Sequence, residues 1–284
     1  MNEKMKTIIS ASRRTDVPAF YYEWLQEVLK DEVVLVANQY SDKKLIVELS
    51  PDKIHSIVLW SKDYRKVAQE PGYLDNYNSY FQYTITNYSK FMEPYTPDYV
   101  QTLKTLEIML KRYKPEQFNI RFDPIIISNM GEKEPTPEKP GLARLKAFET
   151  LCRDLKSLGM DKSRITTSYI SLYGHVAKKI EASGLDIVNL TEEQQCKFVE
   201  RMVEIADKYA FTLYSCSNPI LEGVEAVKKS HCIDGELLVK LFGGRVSKST
   251  STGQREACGC SKSVDIGGYG QKCGFACRYC YATK

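Results

Sequence analysis

The sequence lacks the long apolar run, about 20 residues, that a bilayer-spanning helix needs. Residues 1–6 lead into a short strand-like stretch and not into the apolar segment of a secretory signal, so we predict a cytoplasmic protein. A strong charge of one sign is also missing, because 40 Lys and Arg against 36 Asp and Glu give a net charge of +4. This charge is too small to indicate a membrane partner, and it leaves nucleic acid open as a partner.

Histidine is scarce. The three His residues, His55, His175 and His231, are isolated, and no two of them have the spacing of a zinc pair. His231 is the one with a claim to lie near a metal, because it adjoins Cys232. A glycine-rich phosphate loop after the first strand is absent too, which disfavours a nucleotide-binding open sheet.

What the sequence does have is an alternation of strand-like and helical stretches. Strand-like patterns cover residues 7–12, 33–36, 45–49, 57–60, 80–86, 118–122, 165–170 and 211–215. Helical patterns cover 21–29, 99–113, 145–158 and 191–209, the last with Thr191 as its cap. Strand followed by helix, repeated about six or seven times, predicts a parallel sheet, and the chain length favours a TIM-barrel-like α/β fold, complete or partial.

The alternation stops near Gly243. We therefore predict a barrel-like domain over residues 1–243 and a cysteine-rich tail over 244–284 that packs on the barrel mouth. A turn is predicted at Ser41–Asp42, and the proline-rich stretch 131–141 is predicted to be a loop at the barrel rim.

Cysteine is the informative residue. Five of the nine cysteines lie in the tail: Cys258, Cys260, Cys273, Cys277 and Cys280. In a reducing compartment they are not expected to form structural disulfides, so their density indicates a metal or an iron–sulfur cluster. The last three have the spacing C-x3-C-x2-C and can meet at one [4Fe–4S] cluster with one iron left open.

Two alternatives concern the remaining cysteines. Cys258 and Cys260 can combine with Cys216 and Cys232 in a second four-cysteine site, an auxiliary [4Fe–4S] cluster, unless Cys216 is simply buried in the core. Cys273, Cys277 and Cys280 can instead hold a structural zinc ion together with Cys258 or Cys260. Cys152 and Cys196 lie on apolar helix faces and are predicted to pack in the core.

Cys273, Cys277 and Cys280, with Tyr279 before the last cysteine, resemble the signature of the radical S-adenosylmethionine (SAM) enzymes, and the Tyr-Cys-Tyr ending resembles the spore photoproduct lyase-like members. The resemblance implies a [4Fe–4S] cluster whose open iron binds SAM, and cleavage of SAM to a 5′-deoxyadenosyl radical. It also implies that Tyr279 lies against the adenine.

Nearly the whole chain resembles the DUF1848 family. The matching segments are 10–16 (SASRRTD), 121–124 (RFDP), 232–234 (CID) and 263–267 (SVDIG). The sequence departs from radical SAM enzymes in two ways. The cysteine loop comes last and not after the first barrel strand, so the tail must fold back over the barrel mouth. A Gly-Gly-Glu segment for the SAM amino group is also missing, since Gly243-Gly244-Arg245 comes late and ends in the wrong charge.

Charged residues follow two predicted strands. Arg13, Arg14 and Asp16 follow the first strand, while Arg121 and Asp123 follow a central one, and such positions face the pocket of a barrel. Arg121 can grip the carboxylate of SAM, and Asp123 can hold a ribose or amino group. The alternative is a ring of salt bridges that closes the barrel rim.

The sequence therefore predicts an iron–sulfur protein, a radical SAM-like oxidoreductase or lyase that acts on a small-molecule or nucleotide-like substrate and needs an electron donor. An electron-transfer or redox-sensing protein without SAM cleavage, and a zinc-binding module, are the alternatives.

Overall fold

The computed structural model describes residues 4–37, 44–128, 141–255, 257–268 and 270–282. The predicted turn at Ser41–Asp42 lies outside these residues, as does the predicted loop 131–141 except for Gly141. Within the described ranges, every helix is too short or too polar to cross a bilayer.

The helices and strands confirm the predicted alternation. The strands are β1 (Thr7–Ala11), β2 (Val33–Ala37), β3 (Lys44–Glu48), β4 (Ile54–Ser61), β5 (Ser79–Thr84), β6 (Phe118–Arg121), β7 (Arg164–Thr167), β8 (Leu213–Ser215), β9 (Lys228–Lys229) and β10 (Val264–Asp265). The helices are α1 (Val17–Phe20), α2 (Tyr22–Lys30), α3 (Arg65–Gln69), α4 (Tyr99–Met109), α5 (Leu142–Ser157), α6 (Gly174–Ala182), α7 (Glu192–Lys208), α8 (Pro219–Glu222) and α9 (Gly235–Phe242). Eight of these strands belong to a parallel sheet, and β2 and β3 form a separate antiparallel pair. The chain is thus mixed α/β.

The chain divides into two compact units that interleave along the sequence. Unit 1 comprises Met1–Tyr83, Val100–Phe118 and His231–Gly274, and unit 2 comprises Thr84–Tyr99, Asn119–Ser230 and Phe275–Lys284. The division predicted between residues 243 and 244 follows composition and not contacts, and it stays a prediction.

Unit 1 contains four neighbouring parallel strands in the order β10-β1-β4-β5, with β5 up to Tyr83. Seven of the eight side chains of β4 are buried, because strands in a parallel sheet are covered on both faces, and the apolar run Ile57–Trp60 lies in this strand. The β2–β3 pair differs. Val34 and Val36 are buried while Val33 and Leu35 are exposed, so only one face of the pair is covered.

Unit 2 contains parallel strands in the order β6-β7-β8-β9, with β6 from Asn119. Helix α7 begins at the predicted cap, where the Thr191 hydroxyl accepts from the Gln194 N–H and the Gln194 side chain accepts from the Thr191 N–H. Cys152 on α5 is fully buried, as predicted, and Cys196 on α7 is half-buried.

Candidate functional site

In unit 1, part of the cysteine-rich tail is attached to the end of strand β1 through Asp265. The Asp265 carboxylate accepts hydrogen bonds from the Ser10 hydroxyl at 2.8 Å and the Ser12 hydroxyl at 2.6 Å. It also accepts from the Arg13 N–H at 3.0 Å and the Gly267 N–H at 3.1 Å. Asp265 lies in β10, which pairs with β1, so a carboxylate from the tail accepts hydrogen bonds from residues at the end of the first strand.

Gly267 is required by the same contact. A Cβ atom at this position would lie 2.2 Å from the Ser12 hydroxyl oxygen, far inside van der Waals contact. The Gly267 carbonyl accepts a hydrogen bond from Arg14 Nη1 at 2.9 Å, so the predicted strand-end residue Arg14 contacts the tail.

Arg13 is a predicted cofactor-binding residue that also contacts the tail. Its Nη2 donates to the Ser263 hydroxyl at 3.3 Å, and its guanidinium lies 5.9 Å from the centre of the Trp60 ring. Among the described residues, its buried Nε has no hydrogen-bond partner. The side chain therefore keeps one donor available for an oxygen atom of a ligand.

Asp16 is buried and caps helix α1. Its carboxylate accepts from the Ala19 N–H at 3.0 Å, the Ser61 hydroxyl at 2.7 Å and the Lys62 N–H at 2.9 Å. Burial nevertheless outweighs these hydrogen bonds and raises the pKa of Asp16 to about 7. This residue therefore titrates near neutral pH beside the end of strand β4.

Three cysteines of unit 1 lie together. The Cys260 thiol is hydrogen-bonded to the thiols of Cys232 and Cys258, and these contacts, followed by burial, raise the pKa of Cys260 far above its usual range. The Ile233 N–H also donates to Cys260 Sγ at 3.5 Å. We call Cys232, Cys258 and Cys260 the thiol triad.

The turn between Cys258 and Cys260 fits closely against His231. A Cβ atom on Gly259 would lie 2.2 Å from His231 Cε1 and 2.7 Å from its Nδ1. Glycine at this position therefore lets the imidazole lie directly against the backbone of the turn. The neighbouring segment is held in place by the Ser261 N–H, which donates to the Ile233 carbonyl at 2.9 Å.

The tail residues of unit 2 form a tight turn around a buried tyrosine. The Cys280 N–H donates to the Cys277 carbonyl at 3.1 Å, and Cys277 is buried. Ala276 has a φ of +53°, a conformation that lets the chain reverse direction just before Cys277. The two cysteines are thus placed on one turn with Tyr279 between them.

Tyr279 is the predicted adenine-contacting residue, and its hydroxyl donates to buried Glu93. The Thr86 hydroxyl donates to the same Glu93 oxygen at 2.6 Å. Burial, and next the nearby Glu93 charge, raise the pKa of Tyr279 well above its usual range, so it stays a neutral donor. The Tyr279 ring meets Tyr88 edge to face at 5.7 Å.

Arg278 fixes the other side of this turn. Its N–H donates to the Met92 carbonyl at 3.0 Å, its Nη1 donates to the Ser183 carbonyl at 2.7 Å, and its guanidinium lies 4.0 Å from the centre of the Phe91 ring. Arg278 therefore joins the turn to two separate segments of unit 2.

Arg121 and Asp123, the predicted SAM-positioning pair, form an ion pair with each other. Their side chains are 12% and 15% exposed, and the Ser168 hydroxyl also donates to Asp123. The pair is thus mostly buried at the end of β6, and a ligand carboxylate has to share Arg121 with Asp123.

The predicted metal ligands therefore fall into separate groups. Cys232, Cys258 and Cys260 are neighbours in unit 1, which also contains Cys273, whereas Cys277 and Cys280 share a turn in unit 2. Cys216 directly follows β8 in unit 2, at the predicted strand end. All nine cysteines lie within the described ranges, and none of them forms a disulfide bond. Within the described ranges, His, Cys, Asp and Glu side chains nowhere form a group of three or more with the geometry of a metal site.

Two carboxylates were not found from the sequence. Glu93 lies in a segment with no strand or helix pattern, and a charged residue there is usually exposed. Asp265 lies in a segment that was noted only for its family resemblance. Its partner Ser10 lies 255 residues earlier, so nothing near Asp265 in the sequence indicated this contact. A buried carboxylate is recognised by its partners, and those are distant in sequence.

The fold and the site together define a mixed α/β protein with parallel strands and a cysteine-rich segment attached to the end of its first strand. The sequence profile described as "Domain of unknown function (DUF1848)" matches residues 8–282. The chain belongs to the DUF1848 family, which confirms the resemblance seen in the sequence. No curated protein matches the chain.

Proposed function

We propose that the protein is an iron–sulfur enzyme of the radical SAM type, with a [4Fe–4S] cluster bound by Cys273, Cys277 and Cys280. The observation that carries the proposal is the C-x3-C-x2-C spacing, with its last two cysteines on one turn around buried Tyr279. Thiolates are the ligands that iron–sulfur clusters use, and three of them leave one iron open.

The surroundings of the turn fit such a group. Cys277 and Tyr279 are buried, so water is excluded from one side of the sulfur ligand, a condition that tunes the potential of a cluster. Hydrogen bonds from Tyr279 and Arg278 hold the turn from two directions, which fixes the positions of Cys277 and Cys280. When bound, the cluster supplies an electron to SAM and a coordination position for it.

The chain's own residues bind and orient the cofactor in this proposal. Tyr279 would contact the adenine ring, and Arg121 would bind the SAM carboxylate through charge-assisted hydrogen bonds. Asp123 holds Arg121 in place and offers an oxygen to a ribose hydroxyl or to the amino group. Arg13, with an unpartnered Nε, supplies a further donor. The protein contributes placement and exclusion of water, while the radical chemistry belongs to the cofactor.

The proposal extends to the fold and the compartment. We propose that the parallel strands form a complete or partial TIM-barrel-like arrangement, because alternating strands and helices with parallel pairing are its defining pattern. Nine cysteines without a disulfide bond among them fit a reducing compartment such as the cytoplasm. A small-molecule or nucleotide-like substrate and an external electron donor complete the reaction.

Anaerobic purification followed by iron and acid-labile sulfide analysis tests the cluster. We expect about four iron and four sulfide per chain. A variant with Cys273, Cys277 and Cys280 all changed to Ser should lose both, while Cys196→Ser, which changes a half-buried helix thiol, should keep both. Absence of iron and sulfide from the wild-type protein would contradict the proposal.

Incubation with SAM and a strong reductant tests the reaction. We expect release of 5′-deoxyadenosine, detected by liquid chromatography and mass spectrometry, and its loss in the triple Ser variant. Iron and sulfide without 5′-deoxyadenosine would favour the second candidate, an electron-transfer or redox-sensing protein. One observation supports that candidate: Arg121 and Asp123 are already paired with each other.

A further inference from the structure

We propose that two copies of this chain associate through strand β3, whose outer edges pair in antiparallel register with Ile46 of one copy opposite Ile46 of the other. The two β2–β3 pairs then form one four-stranded antiparallel sheet. This surface belongs to unit 1, and the proposal does not depend on the cluster proposed at Cys273, Cys277 and Cys280.

The β2–β3 pair presents a patch of exposed apolar side chains. Leu35 is 59% and Ile46 is 67% exposed, and the two residues lie directly opposite each other on the same face of the pair. Val33, two residues before Leu35, is exposed on that face too. Neighbouring apolar side chains on a surface are typical of an interaction site, whereas scattered ones need no explanation.

Strand β3 has an open outer edge beside this patch. Within the described ranges, β3 pairs with β2 alone and no third strand joins the pair. The N–H and C=O groups on the side away from β2 are a template for another strand. A two-stranded pair is also only marginally stable in water, and added strands stabilise it. The edge therefore favours a β-strand as its partner.

The charges at the ends of β3 identify that partner as a second copy of the same strand. Lys44 lies two residues before Ile46, and Glu48 lies two residues after it. When two such strands pair antiparallel about Ile46, Lys44 of each copy lies opposite Glu48 of the other. All three side chains alternate onto the exposed face, so an ion pair flanks the apolar centre on each side.

Leu45 supports the same register from the opposite face of the pair. It lies opposite buried Val36 and on the same face as buried Val47, yet Leu45 itself is 56% exposed. A neighbouring strand is missing at the edge where this side chain lies. In the proposed register Val47 of the second copy lies opposite Leu45, which covers it with an apolar side chain.

Glu48 also has a partner within its own chain. Its Oε2 atom is paired with the Lys53 ammonium, and both side chains are more than half exposed. An ion pair this exposed is weak, and it uses one of the two carboxylate oxygens. Glu48 can therefore keep Lys53 and accept from Lys44 of the second copy through the other oxygen.

Sedimentation velocity of the full chain over a dilution series tests the association. We expect the 32.5 kDa monomer to convert to a dimer of twice that mass as the concentration rises. Ile46→Lys places two like charges opposite each other and should weaken the dimer about ten-fold or more. Ile108→Lys, at an exposed residue of α4, should not. A wild-type chain that stays monomeric up to its solubility limit would overturn the proposal, and so would a dimer that Ile46→Lys leaves unchanged.

Charge reversal tests the register. Lys44→Glu alone brings glutamates together at both ends of the pairing, and Glu48→Lys alone brings lysines together, so each should weaken self-association about ten-fold. An equimolar mixture of these two variants should associate as tightly as the wild type, because every glutamate then faces a lysine. The double variant should self-associate like the wild type. A mixture that associates no better than either variant alone would refute the register.

Hydrogen exchange of the wild-type protein gives an answer without any variant. Peptides that cover residues 44–48 should exchange at least ten-fold more slowly in concentrated than in dilute protein, while peptides from α4 should not change. Equal exchange of residues 44–48 at both concentrations would refute pairing of this edge. Iron and sulfide content is measured separately, so a dimer without iron contradicts only the proposed function, and an iron-containing monomer contradicts only the dimer.

Discussion

The two cysteine-bearing parts of the tail are held in place by different means. In unit 1, residues 258–267 are attached mainly through main-chain contacts, since β10 pairs with β1 and the segments around Ile233 and Ser261 are hydrogen-bonded, and the Asp265 carboxylate adds a side-chain contact. In unit 2, the turn of Cys277 and Cys280 is attached mainly through the side chains of Tyr279 and Arg278, with one main-chain contact from the Arg278 N–H to the Met92 carbonyl.

Because of this difference, we expect the two parts to tolerate different substitutions. A main-chain contact depends on backbone position, so many side chains can change without loss, except where a glycine makes room or a carboxylate accepts several donors. A side-chain contact depends on one residue on each side. We therefore expect unit 1 to be sensitive at Asp265 and Gly259, and unit 2 at Tyr279.

The largest effect is expected from Asp265→Ala. The change leaves the hydroxyls of Ser10 and Ser12 and two N–H groups without their acceptor, so the free energy of unfolding should fall by about 5 kcal/mol. Denaturant unfolding followed by circular dichroism measures it. Asp207→Ala, on the exposed side of α7, should change it little, and an equal loss there would argue against a special role of Asp265.

Asp16 should make the stability of unit 1 depend on pH. Its folded pKa of about 7 lies above 3.8, so the folded state holds the proton more tightly than the unfolded chain does. The protonated Asp16 therefore contributes about 4 kcal/mol to the free energy of unfolding. This contribution is fully present below pH 3.8 and is lost as the pH rises through 7. The difference in unfolding free energy between wild type and Asp16→Asn should therefore change by that amount between pH 4 and pH 8.

A difference that stays constant over this range would show that Asp16 does not titrate there. Hydrogen exchange adds the regional information, since peptides from β1 and β4 of unit 1 should show the pH dependence more strongly than peptides from α7 of unit 2.

Gly259→Ala should disturb the thiol triad. The new methyl group would overlap the His231 ring, and overpacking of this kind costs about 2 kcal/mol. The thermal unfolding temperature should therefore fall. Gly174→Ala is the matched control, because a Cβ there meets no atom within 4 Å. An unchanged unfolding temperature in Gly259→Ala would contradict the close packing of the His231 ring against Gly259.

The smallest effect is expected from Tyr279→Phe. It removes the hydroxyl that donates to Glu93 and should lower the free energy of unfolding by about 1.5 kcal/mol. Iron content per chain should also fall, because the turn of Cys277 and Cys280 loses one attachment. Tyr281→Phe, at a tyrosine that is 54% exposed, should leave both quantities unchanged. Equal losses of stability and iron in the two variants would mean that the Tyr279–Glu93 contact does not stabilise the turn.

The sequence predicted those parts of the fold that local patterns determine. Helix α7 was found with its cap because Thr191 and Gln194 lie within one turn of each other, and β1 was found from its short apolar run. The strands β2 and β3 were predicted as two strands joined by a turn, and they do pair with each other. Their separation from the parallel sheet was not predicted, because a strand pattern does not show which sheet the strand joins.

The rest depends on contacts between distant residues. The two residues of β10 are a strand only because Val264 and Asp265 pair with Ile9 and Ser10. The sequence offered Cys232, Cys258 and Cys260, together with Cys216, as one alternative site. The close packing of the His231 ring against Gly259 could not be predicted, because it depends on the three-dimensional arrangement. Glu93 escaped notice for the same reason.

The interleaved arrangement of unit 1 also determines when it can form during synthesis. Strand β1 lies between β4 and β10, and it leaves the ribosome more than 250 residues before β10, so one edge of β1 stays exposed until residues 264–265 have been made. An uncovered strand edge is a template for mispairing. When a ribosome pauses before residue 265, the Ser10 and Ser12 hydroxyls of the nascent chain still lack the Asp265 carboxylate. Quality-control factors therefore have the longest time to bind the chain at this stage.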